Sequence, residues 1–251
     1  MVRGHEGKVA VITGAANGIG QAYAERLAAD GVDIVIADLQ AAHQTEALVR
    51  KHGREALSVV CDVSSAADVA ELAARVEAHF GRCDILVNNA AIYPFQSFAD
   101  IELADWRRMF AVNLESQFLN CKAFIPGMTA RGWGRIVNVT SNSIMMAIPD
   151  MTAYIASKMG VIGLTRGLAT ELATELASAG ITVNAVGPSL TRTEGTTGHP
   201  PELFDTVANM QAIKRAGMPT DLVGTVSFLT SDDSTFLTGQ TLIVDGGLGR
   251  L

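Results

Sequence analysis

Tyr154 and Lys158 stand four residues apart, and Ser141 lies thirteen residues before the tyrosine. On a helix, positions i and i+4 share one face, which would put the Lys158 ammonium beside the Tyr154 phenol. A phenol with a pKa of about 10 is a poor base at neutral pH. A nearby cation favours the phenolate and turns the side chain into a usable proton donor and acceptor. The same spacing occurs on ordinary helix surfaces, so the pair acquires meaning only from the rest of the chain. Other chemistries find less support. The histidines, His5, His43, His52, His79 and His199, form no H-x-x-x-H pair, and none lies beside a cysteine at ligand spacing. No metal is expected. Ser141, within Val139–Ser143, does not sit in a nucleophile elbow.

The elements that must position these residues are short, nearly continuous apolar runs alternating with helical patterns. Strands are expected at Val9–Thr13, Asp33–Ala37, Leu57–Cys61, Ile85–Asn88, Arg135–Thr140, Thr182–Val186 and Thr241–Val244. Helices are expected at Gln21–Asp30, Ala67–Phe80, Leu103–Met128 and Thr152–Ala179. Ser141 then follows a strand, and Tyr154 and Lys158 open a helix. Such alternation, with strands apolar on both faces, predicts a parallel, doubly wound α/β sheet. The chain has 251 residues, 48% of them hydrophobic, and no repeat or linker, which suits one domain.

A net charge of −7 with no basic run gives no reason to expect nucleic-acid binding. No apolar stretch reaches the ~18 residues of a membrane span, and residues 1–8 carry no signal-peptide core. Cys61, Cys83 and Cys121 read as buried free thiols of a reducing cytoplasm.

Residues 9–20 form a strand, a glycine-rich turn and a helix start, with the turn spaced Gly14-x-x-x-Gly18-x-Gly20. Gly14 would permit the turn, Gly18 would let the backbone approach a pyrophosphate, and Gly20 would let the helix pack close to the strand. The anion would rest on the helix N-terminus. A purely structural turn has the same composition. Asp38, after the second strand, points to a nucleotide: its carboxylate suits an adenosine ribose and would repel a 2′-phosphate. No Lys or Arg follows it before Arg50, and position 17 is Asn. The expected cofactor is NAD, not NADP.

Taken together, Thr13–Gly20, Cys61–Val63, Asn88–Ala91, Asn113, Ser141, Tyr154-x-x-x-Lys158, Asn184–Ser189 and Val244–Gly247 resemble the short-chain dehydrogenase/reductase family over essentially the whole chain. Two small-for-small departures are visible, Ala91 and Ser189 where the family usually carries glycine. Residues 80–90, Ile92–Pro94 and 132–136 are similar to bacterial NAD-dependent secondary alcohol dehydrogenases of the 1-phenylethanol dehydrogenase type. Residues 161–172 and 231–247 are equally similar to pyridoxal 4-dehydrogenases.

The resemblance implies a single Rossmann-fold domain over 1–251, a seven-stranded parallel sheet in the order 3-2-1-4-5-6-7 with helices on both faces. It implies Tyr154 as general acid/base, Ser141 as the donor that stabilises the substrate oxygen, Lys158 as the residue that holds the nicotinamide ribose and lowers the tyrosine pKa, and Asn113 as the anchor of a proton-relay water. In local context Asn113 also reads as an ordinary polar helix residue, and Ser141 as a strand-end serine. Around NAD the resemblance places Gly14, Asn17, Gly18, Ile19 and Gly20 at the pyrophosphate. Asp38, Leu39, Asp62, Val63, Asn89, Ala90 and Ala91 fall on the adenosine side. Tyr154, Lys158, Pro188, Leu190, Thr191 and Thr193 fall towards the nicotinamide. It further implies a homotetramer.

The interval between Ser141 and Tyr154 is apolar and methionine-rich. A substrate pocket is expected from Ser141, Ser143, Tyr93, Met145, Met151, Tyr154, Leu190 and Met210, although the methionines equally suit a core. Only Arg192 is at hand to clamp an anion. The Thr- and Gly-rich run 191–199, followed by helical spacing over 202–213, predicts a substrate lid at about 190–215. The expected activity is reversible hydride transfer between NAD and a neutral, largely apolar secondary alcohol or ketone, aryl or alicyclic, with no metal, nucleic-acid or membrane partner. The alternatives are a 3-oxoacyl-thioester reductase, a pyridoxal 4-dehydrogenase-like activity and, in a different class, a non-catalytic NAD-binding sensor or scaffold.

Overall fold

A computed structural model describes residues 4–146, 148–174 and 180–249, the side chains of 173 and 174 excepted. Seven strands form one parallel sheet: β1 (Val9–Thr13), β2 (Asp33–Asp38), β3 (Ala56–Val60), β4 (Ile85–Asn88), β5 (Gly134–Val139), β6 (Ile181–Pro188) and β7 (Thr241–Val244). Their order is β3-β2-β1-β4-β5-β6-β7. β1 is central, with Ala10 beside Ile34 of β2 on one side and Ile85 of β4 on the other. All five residues of β1 and all six of β5 are buried, as strands covered on both faces must be.

Side-chain alternation splits the core in two. Ala10, Ile12, Ile34 and Ile36 face one layer, where Tyr23 and Leu27 of α1 (Gly18–Ala29) and Val226 and Leu229 of α8 (Val223–Leu229) pack. Val9, Val11, Val35 and Leu86 face the other. There α3 (Ala66–Phe80) contributes Leu72, α5 (Ser116–Arg131) contributes Phe124 and Met128, and α6 (Thr152–Thr174) contributes Leu172. The three cysteines are free and buried in or beside this second layer. Among the described residues no helix is long and apolar enough to cross a membrane, and no group of three or more His, Cys, Asp or Glu could hold a metal.

Three differences from the sequence reading matter. The expected helix Leu103–Met128 is α4 (Leu103–Phe110), a π-helical turn at Ala111–Glu115, then α5. The widened turn buries Asn113 completely. Of the expected helix Thr152–Ala179, residues 175–179 lie outside the described residues. Two short helices were not anticipated, α8 and α2 (His43–Lys51), the latter burying only Thr45 and Val49 and so lacking a periodic apolar stripe.

After β6 the chain leaves the sheet through a turn at Glu194–Thr196 and helix α7 (Pro201–Met210), returning to bridge Thr191 with Gly217. This excursion lies over the carboxyl ends of the strands, where open parallel sheets bind ligands.

Candidate active site

Ser141 leaves the end of β5 in extended backbone and opens a short 3₁₀ turn, Asn142–Met145. The Ser143 backbone N–H donates to Ser141 Oγ at 3.2 Å. α6 begins at Thr152, so Tyr154 and Lys158 lie in its first two turns on one face. Lys158 Nζ sits 5.7 Å from the Tyr154 ring centroid and donates to the Val139 carbonyl at 2.8 Å. The Thr140 hydroxyl in turn donates to the Lys158 carbonyl at 2.9 Å. The first turns of α6 are thereby fastened to the end of β5 from both sides.

Lys158 is 1% exposed. Burial lowers its pKa to about 7, because an apolar setting disfavours the charged ammonium. The same desolvation pushes Tyr154 up to about 12, partly offset by a hydrogen bond with Ser141 that favours the phenolate. Burial, rather than Lys158, sets the direction of the Tyr154 shift in this structure.

Asn113 is pinned from three sides. Its Oδ1 accepts from the Ile92 N–H at 2.8 Å, and its Nδ2 donates to the Ile92 carbonyl at 2.9 Å and to Ser157 Oγ at 3.1 Å. Its side chain thus ties the loop after β4 to α6 and makes no bond to Lys158.

At the opposite end of the same cleft, the turn between β1 and α1 is built for close backbone approach. Gly14 has φ +63°, and a Cβ there would lie 2.8 Å from Ala90 Cα. A Cβ on Gly20 would lie 2.2 Å from the Gly14 carbonyl oxygen. The α1 N-terminus has no side-chain cap from Asn17, leaving its first N–H groups open to an anion. Asp38 Oδ2 accepts from the Ala16 N–H at 3.0 Å and Oδ1 from the Gln40 N–H at 3.2 Å, fixing its carboxylate at the rim. Asn89 spends its side-chain amide on the turn, donating to the carbonyls of Thr13 at 3.0 Å and Gly14 at 2.9 Å. Asp62 accepts from the Ser64 N–H at 2.9 Å, and Leu39 is exposed beside Asp38.

One cleft of about 760 Å³ joins the two ends. Gly14, Asn17, Gly18, Ile19, Asp38, Leu39, Asp62, Val63, Asn89, Ala90 and Ala91 line one end, and Ser141, Tyr154, Lys158, Pro188, Leu190, Thr191 and Thr193 the other. Gly20 and Asn113 stand behind the wall. An uncapped helix start, a glycine cradle and a fixed carboxylate at this separation from a Ser–Tyr–Lys cluster fit an elongated dinucleotide.

Above Ser141 and Tyr154 the wall includes Tyr93, Ser143, Met151, Leu190 and Met210, all expected there, together with Ile148. Met145 does not line it; the end of its side chain lies in the space that a Cβ on Gly249 would occupy. Arg192 is also turned away, its guanidinium 4.2 Å from the Phe204 ring centroid. The arginine in the wall is Arg108, from α4. His199, Leu203, Thr206 and Val207 also line the cleft and fall within the expected lid, although not named as pocket residues, and Leu248 lines it without having been expected. For Leu203 and Val207 the signal was present in the amphipathic spacing of α7. For Arg108 and Leu248 there was none, because only the fold brings them to the cleft.

Comparison with known proteins agrees with this geometry. A family model described as enoyl-(acyl carrier protein) reductase matches residues 14–249. The chain is 38% identical over 245 residues to a 3-oxoacyl-[acyl-carrier-protein] reductase of Synechocystis, covering 96% of each. It is 38% identical over 242 residues to a cis-4-hydroxycyclohexanecarboxylate dehydrogenase of Sinomonas cyclohexanicum, again 96% of each. The crystal structure of an NAD⁺-bound xylitol dehydrogenase superposes with a TM-score of 0.88 at 33% identity, covering 98% of this chain and all of the other.

Proposed function

The chain belongs to the short-chain dehydrogenase/reductase family of oxidoreductases, and from that premise we propose that it is an NAD-dependent dehydrogenase of neutral secondary alcohols and ketones. The observation that carries this reading is the single cleft with Asp38 and the uncapped α1 at one end and Ser141, Tyr154 and Lys158 at the other. Bound NAD supplies a hydride acceptor at its nicotinamide. The protein's part is to hold it and to move a proton. Tyr154 takes the hydroxyl proton of the alcohol and returns it to the ketone. Ser141 donates to the substrate oxygen and stabilises the charge that grows there. Lys158 holds the nicotinamide ribose and provides the next proton site. Asn113 fixes the Ile92 loop and α6 at the spacing this requires and anchors the proton-relay water.

Asp38 supports NAD over NADP, since a 2′-phosphate beside that carboxylate would meet like charge. The apolar wall of Tyr93, Met151, Leu190 and Met210, with residues 190–215 as its lid, supports an aryl or alicyclic substrate. The alicyclic ring in the name of the Sinomonas relative points the same way, while the carboxylate in that name does not match a neutral substrate. A thioester reductase is the second reading, favoured by the name of the Synechocystis relative and disfavoured by Asp38. The enzyme is further read as a cytoplasmic homotetramer, in keeping with its free, buried cysteines.

The test is a panel of secondary alcohols with NAD and NADP followed at 340 nm. The expected outcome is kcat/KM at least tenfold higher with NAD. Tyr154→Phe should lower turnover by about 10²- to 10⁴-fold, the usual worth of a general base, while NAD binding persists. Turnover that survives the substitution would overturn Tyr154 as the base. Acetoacetyl-thioester reduction with NADPH as the sole activity would overturn the substrate class.

A further inference from the structure

The loop after β4 carries Tyr93, Pro94 and Phe95, and it is fastened at both ends. Ile92 is held by the Asn113 side chain through bonds of 2.8 and 2.9 Å, and the Gln96 N–H donates to the Asp150 carbonyl at 2.8 Å. The chain of the lid comes down against this loop. A Cβ on Gly195 would lie 2.6 Å from Tyr93 Oη, so a residue without a side chain lets the lid turn rest on that phenol. Further along, the His199 ring meets the Phe95 ring edge-on with centroids 5.4 Å apart, and the Tyr93 ring at a tilt, 6.4 Å away. None of the three rings is buried. Between loop and lid lies a second pocket of about 400 Å³, with Tyr93, Pro94 and Phe95 on one side and Gly195, Gly198 and His199 on the other. Tyr93, Phe95, Gly195 and His199 also line the main cleft, whereas Ser141 and Tyr154 line the cleft alone. The second pocket is therefore a side lobe of the cleft that leads away from the reacting groups.

We propose that this lobe binds an aromatic ring of the substrate, set apart from the reacting carbinol by a short aliphatic tether. The inference rests on the secondary-alcohol reading above and narrows its choice of aryl or alicyclic to aryl. A ring entering the lobe meets Tyr93, Phe95 and His199 together. Aromatic rings in edge-to-face or offset contact gain more than the burial of their area, and a saturated ring of the same size gains the burial only. The two lid glycines leave room for a flat group, and the anchored loop holds two of the three rings in place before the substrate arrives, which lowers the ordering cost of binding. A ring bonded directly to the carbinol would stay in the main cleft against Met151 and Leu190. The tethered ring is only bound; hydride and proton move at the carbinol as before.

The experiment compares the reduction of 4-phenyl-2-butanone, 4-cyclohexyl-2-butanone and 2-butanone by NADH, followed at 340 nm. In the wild type both ring-bearing ketones should show kcat/KM at least about tenfold above 2-butanone, the worth of burying a ring. The phenyl ketone should exceed the cyclohexyl one by about threefold to tenfold. Gly198 lies outside the left-handed region, and a Cβ there meets no atom within 4 Å, so Gly198→Leu can narrow the lobe without strain. It should cut the advantage of both ring-bearing ketones at least about fivefold and leave 2-butanone within about twofold of wild type. Phe95→Leu should bring the phenyl-to-cyclohexyl ratio to within about twofold of one. A wild-type ratio near one, a ratio that survives Phe95→Leu, or ring-bearing ketones that keep their advantage in Gly198→Leu would overturn the inference. A Gly198→Leu variant that loses 2-butanone reduction in equal measure would do the same. If the wild type reduces ketones with NADH but shows none of these preferences, the dehydrogenase reading stands and this one fails. If it reduces no ketone and oxidises no secondary alcohol, both fail.

Discussion

Tyr154 and Lys158 face each other within one burial zone, and desolvation moves their proton affinities in opposite directions, the phenol up to about 12 and the ammonium down to about 7. Burial is the main cause of both shifts, and as pH rises the first proton to leave is the lysine's. Alcohol oxidation needs a pair that can accept a proton, which is the form lacking one. With wild-type enzyme at saturating NAD, kcat/KM for oxidation should rise about tenfold per pH unit below about 7 and level off above it. Lys158→Met leaves the phenol alone in its apolar setting, where burial raises its pKa, so the rise should move well above neutral pH. A profile of unchanged shape in the variant would refute the shared proton. Spacing made the pair visible, because four residues apart is one face of any helix, but the resemblance to a known family gave it and Ser141 their roles. Burial was not legible, and burial reverses the sign of the tyrosine shift. Arg108 shows the same limit in another form. Its side chain carries no local signature, and it acquires a role only from the wall it joins.

The glycine turn is the element on which the cofactor reading depends most. A Cβ on Gly20 would press against the Gly14 carbonyl at 2.2 Å and Asn89 Nδ2 at 2.7 Å, so α1 cannot approach β1 with any larger residue there. Gly20→Ala should cost about 1–3 kcal/mol of stability, the usual penalty of overpacking, and weaken NAD binding by moving the α1 N-terminus. Urea unfolding and fluorescence titration with NADH would measure both; wild-type values in each would show that the contact relaxes freely. Elements of this kind were readable because their residues are their own signal, as apolar runs are for β1, β4 and β7. The π-helical turn at Ala111–Glu115 was not. It adds width without changing composition, and its reason is Asn113, whose partners Ile92 and Ser157 are remote in sequence. The register of α2 was hidden for the opposite reason, since it buries too little to write a pattern.

At the scale of the whole molecule, several apolar side chains stay exposed, among them Leu103 on α4, Phe118 on α5, Met159 on α6, and Phe236, which is fully exposed ahead of β7. Apolar side chains on these helices suit the tetramer that the family resemblance implies. Light scattering should give four chains per particle, and Phe236→Asp should shift the distribution to smaller species; a stable wild-type monomer would refute the tetramer. Sheet order is a global property that strand patterns do not encode, and it entered the sequence reading only through family resemblance. That order has a consequence for biosynthesis. β1 is made first, yet one of its edges must wait for β4, more than seventy residues later. A nascent chain that has reached β3 can already align three strands, but it presents Val9–Thr13 as a bare apolar margin. The ribosome must release residue 87 before that margin closes, so the centre of the finished sheet is a vulnerable seam through the early part of synthesis.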